Sequence, residues 1–421
     1  MALIYKVNLT SSPTPVQDNE RAGILDVLRG FALLGILVIN IIGFSGYGNL
    51  TVDMKQEIAT YPIDKYLSAL QIGLAEGKFY SIFSFLFGIG FSIILVRLKQ
   101  KRHNAFKVFY RRLFYLLIIG LIHIYFLWEG DILILYALLG MLLPLFINVS
   151  NRWLLIFSGL LILSPILIDA AKMVFDFRLG GWLESIAISI DKRTGIPLDD
   201  GFRRYLYRDG SGWQEYRNWQ QSGLFYRFTG ILDSNRIPKV LGMFLLGYYV
   251  GRNKIYANLH QYKNLFKKIL IYGLIIGIPA NVGMVYSIWG ENWSPGVDML
   301  NTVAYALGVV PLALAYVTGL CLYWIKKNGQ TKLLIFAPVG RMALTNYIMQ
   351  TILGIIIFYE VGLGWGGYIG PALFLPFAFI IFIFQVIFSR YWLKYFSYGP
   401  IEWIWRQLTY RKRFPILKKE S

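Results

Sequence analysis

Apolar runs of about bilayer length recur from one end of this chain to the other. A helix needs about 20 mostly apolar residues to cross the hydrocarbon core. Ten runs approach that, at about 24–46, 75–97, 112–128, 131–149, 153–171, 237–251, 266–288, 299–325, 333–359 and 371–390. The run at 237–251 is the shortest. They are long continuous runs rather than the ten-residue alternating segments of a membrane barrel. Composition agrees, with 56% hydrophobic and 15% charged residues, where a soluble globule has about 25% charged. The expected fold is all-α, a polytopic integral membrane helical bundle of about ten transmembrane helices.

Charge orients the bundle. The connections at 97–112, 252–268 and 326–332 are rich in Lys and Arg, among them Lys101, Arg102, Arg252, Lys254, Lys326 and Lys327, and hold no acid. The alternate connections carry Asp53, Glu57 and Asp64, then Glu129 and Asp131, then Glu291 and Asp298, then Glu360. The positive-inside rule then puts both termini in the cytoplasm. It also accounts for the net charge of +19, so no nucleic-acid partner is expected. The lone Cys321 excludes a disulfide scaffold, and with three histidines no metal site is expected.

The organisation expected is a polar cytoplasmic segment at 1–23 without a cleavable signal, a first five-helix bundle at 24–171, and a long extracytoplasmic connection at 172–236. A second five-helix bundle at 237–390 and a basic cytoplasmic tail at 391–421 complete it. The long connection mixes acids and bases with Trp182, Trp213 and Trp219. Loops of that length are usually functional or carry small helices of their own.

Ionisable groups in or beside apolar spans are expensive and so mark candidate sites. Asp26 and Arg29 stand three apart on the first span, as a helix-start ion pair or a ligand site. Asn40 follows about 16 Å further along the same helix, as an interhelical hydrogen bond or a site residue. Glu76 and Lys78 open the second span, and Gly88 and Gly90 beyond them permit close helix packing. His123 lies about one turn from the outer boundary of the third span. Glu129 and Asp131 form the tight turn after it, either as a solvated turn with Asp131 capping the next helix or as partners of the imidazole. In PVGRMALTNYIMQ, Arg341 and Thr345 are four apart, as are Asn346 and Gln350. Pro338 and Gly340 suggest a broken helix start, where Arg341 beside free amides suits a phosphate, or serves as a positive-inside anchor.

Four stretches resemble the YeiB family of bacterial membrane proteins. They are LDVLRGFALLGILVIN (25–40), EGKFYSIFSFLFGIGFS (76–92), GLIHIYFLWEGDILILYALLG (120–140), and GRMALTNYIMQ (340–350) with FSYGPIEWIWRQLTY (396–410). A bacterial cytoplasmic membrane is the location this implies. The opening motif also resembles the acyltransferase type three family and heparan-alpha-glucosaminide N-acetyltransferase. Both pass acyl groups from cytoplasmic acyl-CoA to an acceptor across the membrane. By that resemblance Arg29 matches the motif arginine. Asn40 falls where the first family has a histidine and matches an asparagine of the second. No histidine lies in 41–75, so the usual acyl-transfer histidine is missing from both places.

The resemblance implies a transmembrane acyltransferase using acyl-CoA, acetyl-CoA foremost, with a small-molecule or glycan acceptor. Arg29, Arg341 and the basic rim would hold the CoA phosphates, with Asp26, Glu76, Lys78, Thr345, Asn346 and Gln350 as further ligand contacts. His123, polarised by Glu129 or Asp131, would be the general base, and Asn40 would donate to the oxyanion. The alternatives are a transporter or flippase-like exporter of a small amphiphile, or a non-enzymatic membrane protein.

Overall fold

The computed structural model describes residues 22–100, 105–199, 206–207, 212–289 and 295–418. Residues 1–21, Lys101, Arg102, Glu291 and the last residues of the tail lie outside these ranges. The chain is all-helical, and among the described residues the sole β feature is an isolated bridge between Phe396 and Leu417. Seven helical runs are long and apolar enough to cross a membrane by length and composition. It is a multi-pass membrane protein.

Those seven are α1 (Gly23–Phe44), the run Tyr61–Val96, α5 (Ala105–Phe126), α7 (Asn151–Phe175), α11 (Lys263–Trp289), α12 (Pro295–Trp324) and α16 (Pro371–Tyr395). A short α2 (Val52–Gln56) precedes Tyr61–Val96, which is itself two helices, α3 (Tyr61–Ala75) and α4 (Lys78–Gln100). They meet at Gly77, whose φ of +81° lies in the left-handed region that glycine adopts without strain. The break sets Glu76 at a helix junction rather than on a helix face.

The other three expected spans take different forms. The stretch 131–149 gives α6 (Leu133–Gly140), then a 3-10 turn at Leu143–Phe146 holding Pro144, because proline removes a helix donor. The stretch 237–251 is α10 (Arg236–Arg252), with 17 residues and so about 26 Å long. The stretch 333–359 divides among α13 (Gly329–Leu333), α14 (Ala337–Arg341) and α15 (Ala343–Phe358). The backbone leaves the helical region at Met342 (φ −109°, ψ 38°), so Arg341 and Thr345 are not on one helix face. The broken start that Pro338 and Gly340 suggest is present.

α1 runs through the centre, with Val27, Ala32, Leu33, Leu37 and Ile41 fully buried. It packs on α14, α15 and α16 as well as α4, while α4 packs on α10. Helices from both sides of the 172–236 segment thus share one core. Gly30 and Gly340 let the backbones of α1 and α14 touch: a Cβ on Gly30 would stand 2.0 Å from the Phe336 carbonyl oxygen, and one on Gly340 1.9 Å from that of Asp26. Gly88 meets α10 in the same way, whereas Gly90 faces open space.

The 172–236 segment carries α8 (Gly181–Thr194) and α9 (Trp213–Asp233). α9 lies against α8, α5 and α10. Trp182 and Trp213 are exposed, whereas Trp219 is buried and stacks on Tyr226 with 5.7 Å between ring centroids. After α16, α17 (Pro400–Tyr410) is the last helix among the described residues.

Candidate functional site

The turn between α5 and α6 builds the most connected polar cluster. Asp131 precedes α6, and its Oδ1 accepts the Ile134 N–H at 2.8 Å, satisfying a helix-start amide. Its Oδ2 lies 3.0 Å from Nδ1 of His123. Nε2 of His123 is 2.9 Å from Oγ1 of Thr351 on α15. The ring is thus held from both sides, by a charge contact at Nδ1 in which neither Nδ1 nor Oδ2 has an aligned hydrogen bond, and by a hydrogen bond between Nε2 and the threonine hydroxyl. His123, Asp131 and Thr351 are 1%, 2% and 0% exposed, so none of this belongs to a solvated turn. Asp131 fills both roles that the sequence left open, helix cap and histidine partner.

Glu129 points elsewhere. It packs under Gly223 of α9, and burial pushes its carboxyl up to about 6, while the neighbouring Trp219 and Trp128 indoles and the Arg227 charge hold it from rising further. Glu76 lines a cavity.

That cavity, of about 280 Å³, opens between α1, the α3–α4 junction, the α5–α6 turn, α9, α10 and α15. Its polar lining is Asn40, Glu76, Arg227, Arg236, Tyr80 and Tyr347, and its apolar lining includes Ile36, Ile39, Phe79 and Trp128. Arg227 is fixed by its Nε, which donates to the Asp131 carbonyl at 2.8 Å. Burial lowers its guanidinium to about 10, and repulsion from Arg236 adds to the shift. The Arg236 guanidinium lies 5.2 Å from the centroid of the Tyr80 ring, and the Tyr80 hydroxyl meets that of Tyr305 at 3.1 Å. His123 does not line the cavity. Tyr347 does, and its ring rests on the imidazole with 5.1 Å between centroids.

The opposite end of α1 holds the other candidates. Arg29 pairs with Asp26 at 2.7 Å, and α14 brings Arg341 to the same end of the helix. The amides at the start of α15 are already occupied. Glu402 of α17 accepts the N–H groups of Leu344 at 2.6 Å and Thr345 at 3.0 Å, and the Thr345 hydroxyl at 2.5 Å. Burial raises the Glu402 carboxyl and these bonds oppose the rise. A phosphate at this end would meet side chains, not free amides.

Asn346 and Gln350 form an interhelical ladder. Asn346 donates to Ser389 Oγ at 2.9 Å and Gln350 to Gln385 Oε1 at 3.0 Å, while Gln385 returns a bond to the Asn346 carbonyl at 2.8 Å. Lys78 is fully buried and donates to the Ile72 carbonyl at 3.2 Å. Only Asn40 and Glu76 of the expected residues reach the cavity wall.

Arg227, Arg236, Tyr347, Thr351 and Glu402 were missed as candidates. Arg236 carried a signal: it is the first residue of α10, where the helix dipole disfavours a cation. Arg227 sits mid-helix in a segment without hydrophobic periodicity, and nothing local distinguishes it.

Over 428 aligned residues the chain is 32% identical to the uncharacterized protein YxaH of Bacillus subtilis (strain 168), covering 97% of this chain and 99% of that one. The chain belongs to the YeiB-like, DUF418 family. The family model described as "Protein of unknown function (DUF418)" matches residues 250–412, from the end of α10 to the end of α17. The uncharacterized protein YeiB of Escherichia coli (strain K12) is 28% identical over 415 residues, covering 96% of this chain and 100% of that one. No solved structure matches.

Proposed function

We propose that this protein is a bacterial cytoplasmic-membrane acyltransferase that moves an acyl group from cytoplasmic acyl-CoA to an acceptor in the cavity. The observation that carries the reading is the buried His123, held between Asp131 and Thr351 directly behind the cavity residue Tyr347. In the transfer, the acceptor's hydroxyl oxygen or amine nitrogen bonds to the thioester carbonyl carbon and the carbon–sulfur bond breaks. The acceptor's proton goes to His123 and then to the departing CoA thiolate. Asp131 fixes the imidazole tautomer and stabilises the imidazolium. Asn40, on the cavity wall, donates to the oxyanion. Tyr347 must swing aside for the imidazole to reach the acceptor.

The donor is acetyl-CoA or a short-chain homologue, its phosphates held by Arg29 and Arg341. The test is a calorimetric titration of the purified protein in detergent with acetyl-CoA and free CoA. Binding should be measurable, and Arg29→Gln or Arg341→Gln should weaken it by about 1–3 kcal/mol, the range for charged hydrogen bonds. Absence of CoA binding sinks the reading. One observation favours a second reading, export of a small amphiphile: His123 is not itself on the cavity wall. A protein that accumulates substrate in vesicles without consuming acyl-CoA would establish that instead.

A further inference from the structure

We infer that the cavity binds a phosphate-bearing ligand that also offers a hydroxyl or amine donor, with Arg227 and Arg236 on the phosphate and Glu76 on the donor. As an account of the acyl acceptor, this rests on the transfer reading above; as an account of what the cavity binds, it stands alone.

Charge bookkeeping within the cavity is the first argument. Two guanidinium groups and one carboxylate line it, which leaves one positive charge in excess. Among the described residues, neither arginine forms an ion pair. Arg227 uses one of its five N–H donors on the Asp131 carbonyl. Arg236 lies over the face of Tyr80. Two like charges sharing a partly desolvated space repel, and an anion between them relieves that cost.

Placement is the second. A cation at the first position of a helix opposes the dipole there, and Arg236 holds that position in α10. The residue before it, Asn235, gives α10 no side-chain cap, since its Oδ1, the atom that would cap, accepts from Lys172 Nζ at 3.0 Å. The end of α10 beside Arg236 therefore suits an anion twice over.

The oxygen count selects phosphate. Two planar guanidinium forks match an anion with several oxygens better than a lone carboxylate. Glu76, at the α3–α4 junction on the same cavity, is an acceptor for a ligand hydroxyl or ammonium. The apolar wall at Ile36, Ile39 and Phe79 suits a lipid tail or the carbon skeleton of a soluble phosphate ester. The shared chemistry is the phosphate with its donor, and experiment separates the two sources.

Full-length protein in an uncharged detergent, with no acyl-CoA present, is titrated with sn-glycerol 3-phosphate, dioctanoylphosphatidylglycerol, glycerol, dioctanoylglycerol and acetate. At least one phosphate probe should bind ten-fold or more tightly than its neutral counterpart. Tighter lipid binding identifies a headgroup site, and tighter glycerol phosphate binding a soluble ester. Arg227→Gln and Arg236→Gln should each weaken the phosphate probe ten-fold or more, and Arg236→Lys should recover part of the loss. Glu76→Gln removes the one negative charge and should tighten inorganic phosphate several-fold, an opposite effect that misfolding cannot mimic. Unchanged affinity in the Gln variants, equal binding of neutral probes or acetate, or no binding of either phosphate probe overturns the inference. Phosphate binding without acyl transfer defeats the transfer reading alone; transfer without phosphate binding defeats this inference alone.

Discussion

Nδ1 of His123 lies 3.0 Å from Oδ2 of Asp131, while the other oxygen of that carboxylate caps α6. One side chain therefore joins the end of α5 to the start of α6 and orients the imidazole, and the two roles separate by mutation. Asparagine caps a helix about as well as aspartate, so Asp131→Asn keeps the cap and loses the charge. Transfer activity should fall by about 10²–10⁴-fold with the melting temperature nearly unchanged. Asp131→Ala loses the cap as well and should cost about 1 kcal/mol more stability. Activity assays paired with thermal melts read both effects, and a fully active Asp131→Asn protein removes the pair from the mechanism.

Glu129, in the same turn, gives a pH signature. Its carboxyl is raised from the ordinary 4.5 to about 6 in the folded protein. The folded state thus binds the proton more tightly than the unfolded state, and stability falls as pH rises from about 4.5 to about 6. The cost is in full force above that window and absent below it. Glu129→Gln should therefore be more stable than the parent at pH 7.5, by at most about 2 kcal/mol, with the gain vanishing near pH 4. Melts across that range check it; a gain that persists at pH 4 assigns the effect to something other than ionisation.

The long spans were legible because an uninterrupted apolar run has few other fates in a chain so poor in charge. The interrupted ones were less so, although Pro338 and Gly340 signalled a broken start before α15. Nothing about Met342 announces that the backbone leaves the helical region there, and without that break Arg341 and Thr345 look like neighbours on one face. The candidate site was half legible: His123, Asp131, Asn40 and Glu76 stood out as polar groups in apolar surroundings. Arg227 and Arg236 did not, since both lie in or beside a segment already polar, and only the packing of α9 against α5 and α10 brings them to the cavity. Thr345, Asn346 and Gln350 stood out equally, yet they serve helix packing. A polar residue in an apolar helix is costly wherever its partner lies, so sequence flags a bonded ladder and a ligand site alike.

Glu402 illustrates how the broken helices survive in an apolar setting. Open helix-start amides need partners, and in lipid no water supplies them. Glu402 reaches α15 from α17, and Asp64, fully buried on α3, accepts the Ala372 N–H of α16 at 2.7 Å. Glu402→Ala should destabilise the protein by about 1–3 kcal/mol, the penalty for stranding buried donors. Glu402→Gln keeps an acceptor and should cost less. Thermal melts rank the variants, and equal melting of parent and Glu402→Ala would show that the α15 amides find other partners.

Membrane orientation fixes what each end of α1 can meet. The acid-free connections and the acidic turns alternate along the sequence, which motivates an outer position for α8 and α9 and an inner one for the α12–α13 connection. Ser185 on α8 and Lys327 in that connection are both exposed, and Cys321 is buried, so Cys321→Ser provides a quiet background. On intact cells an impermeant maleimide should label Ser185→Cys, and should label Lys327→Cys only after permeabilisation. The opposite pattern would invert the protein. Arg227, Arg236 and Glu76 would then face the cytoplasm together with soluble acyl-CoA, and Arg29 and Arg341 would lie on the far side. The CoA phosphates would have to be sought at the cavity arginines, and the two-sided transfer proposed above would fall.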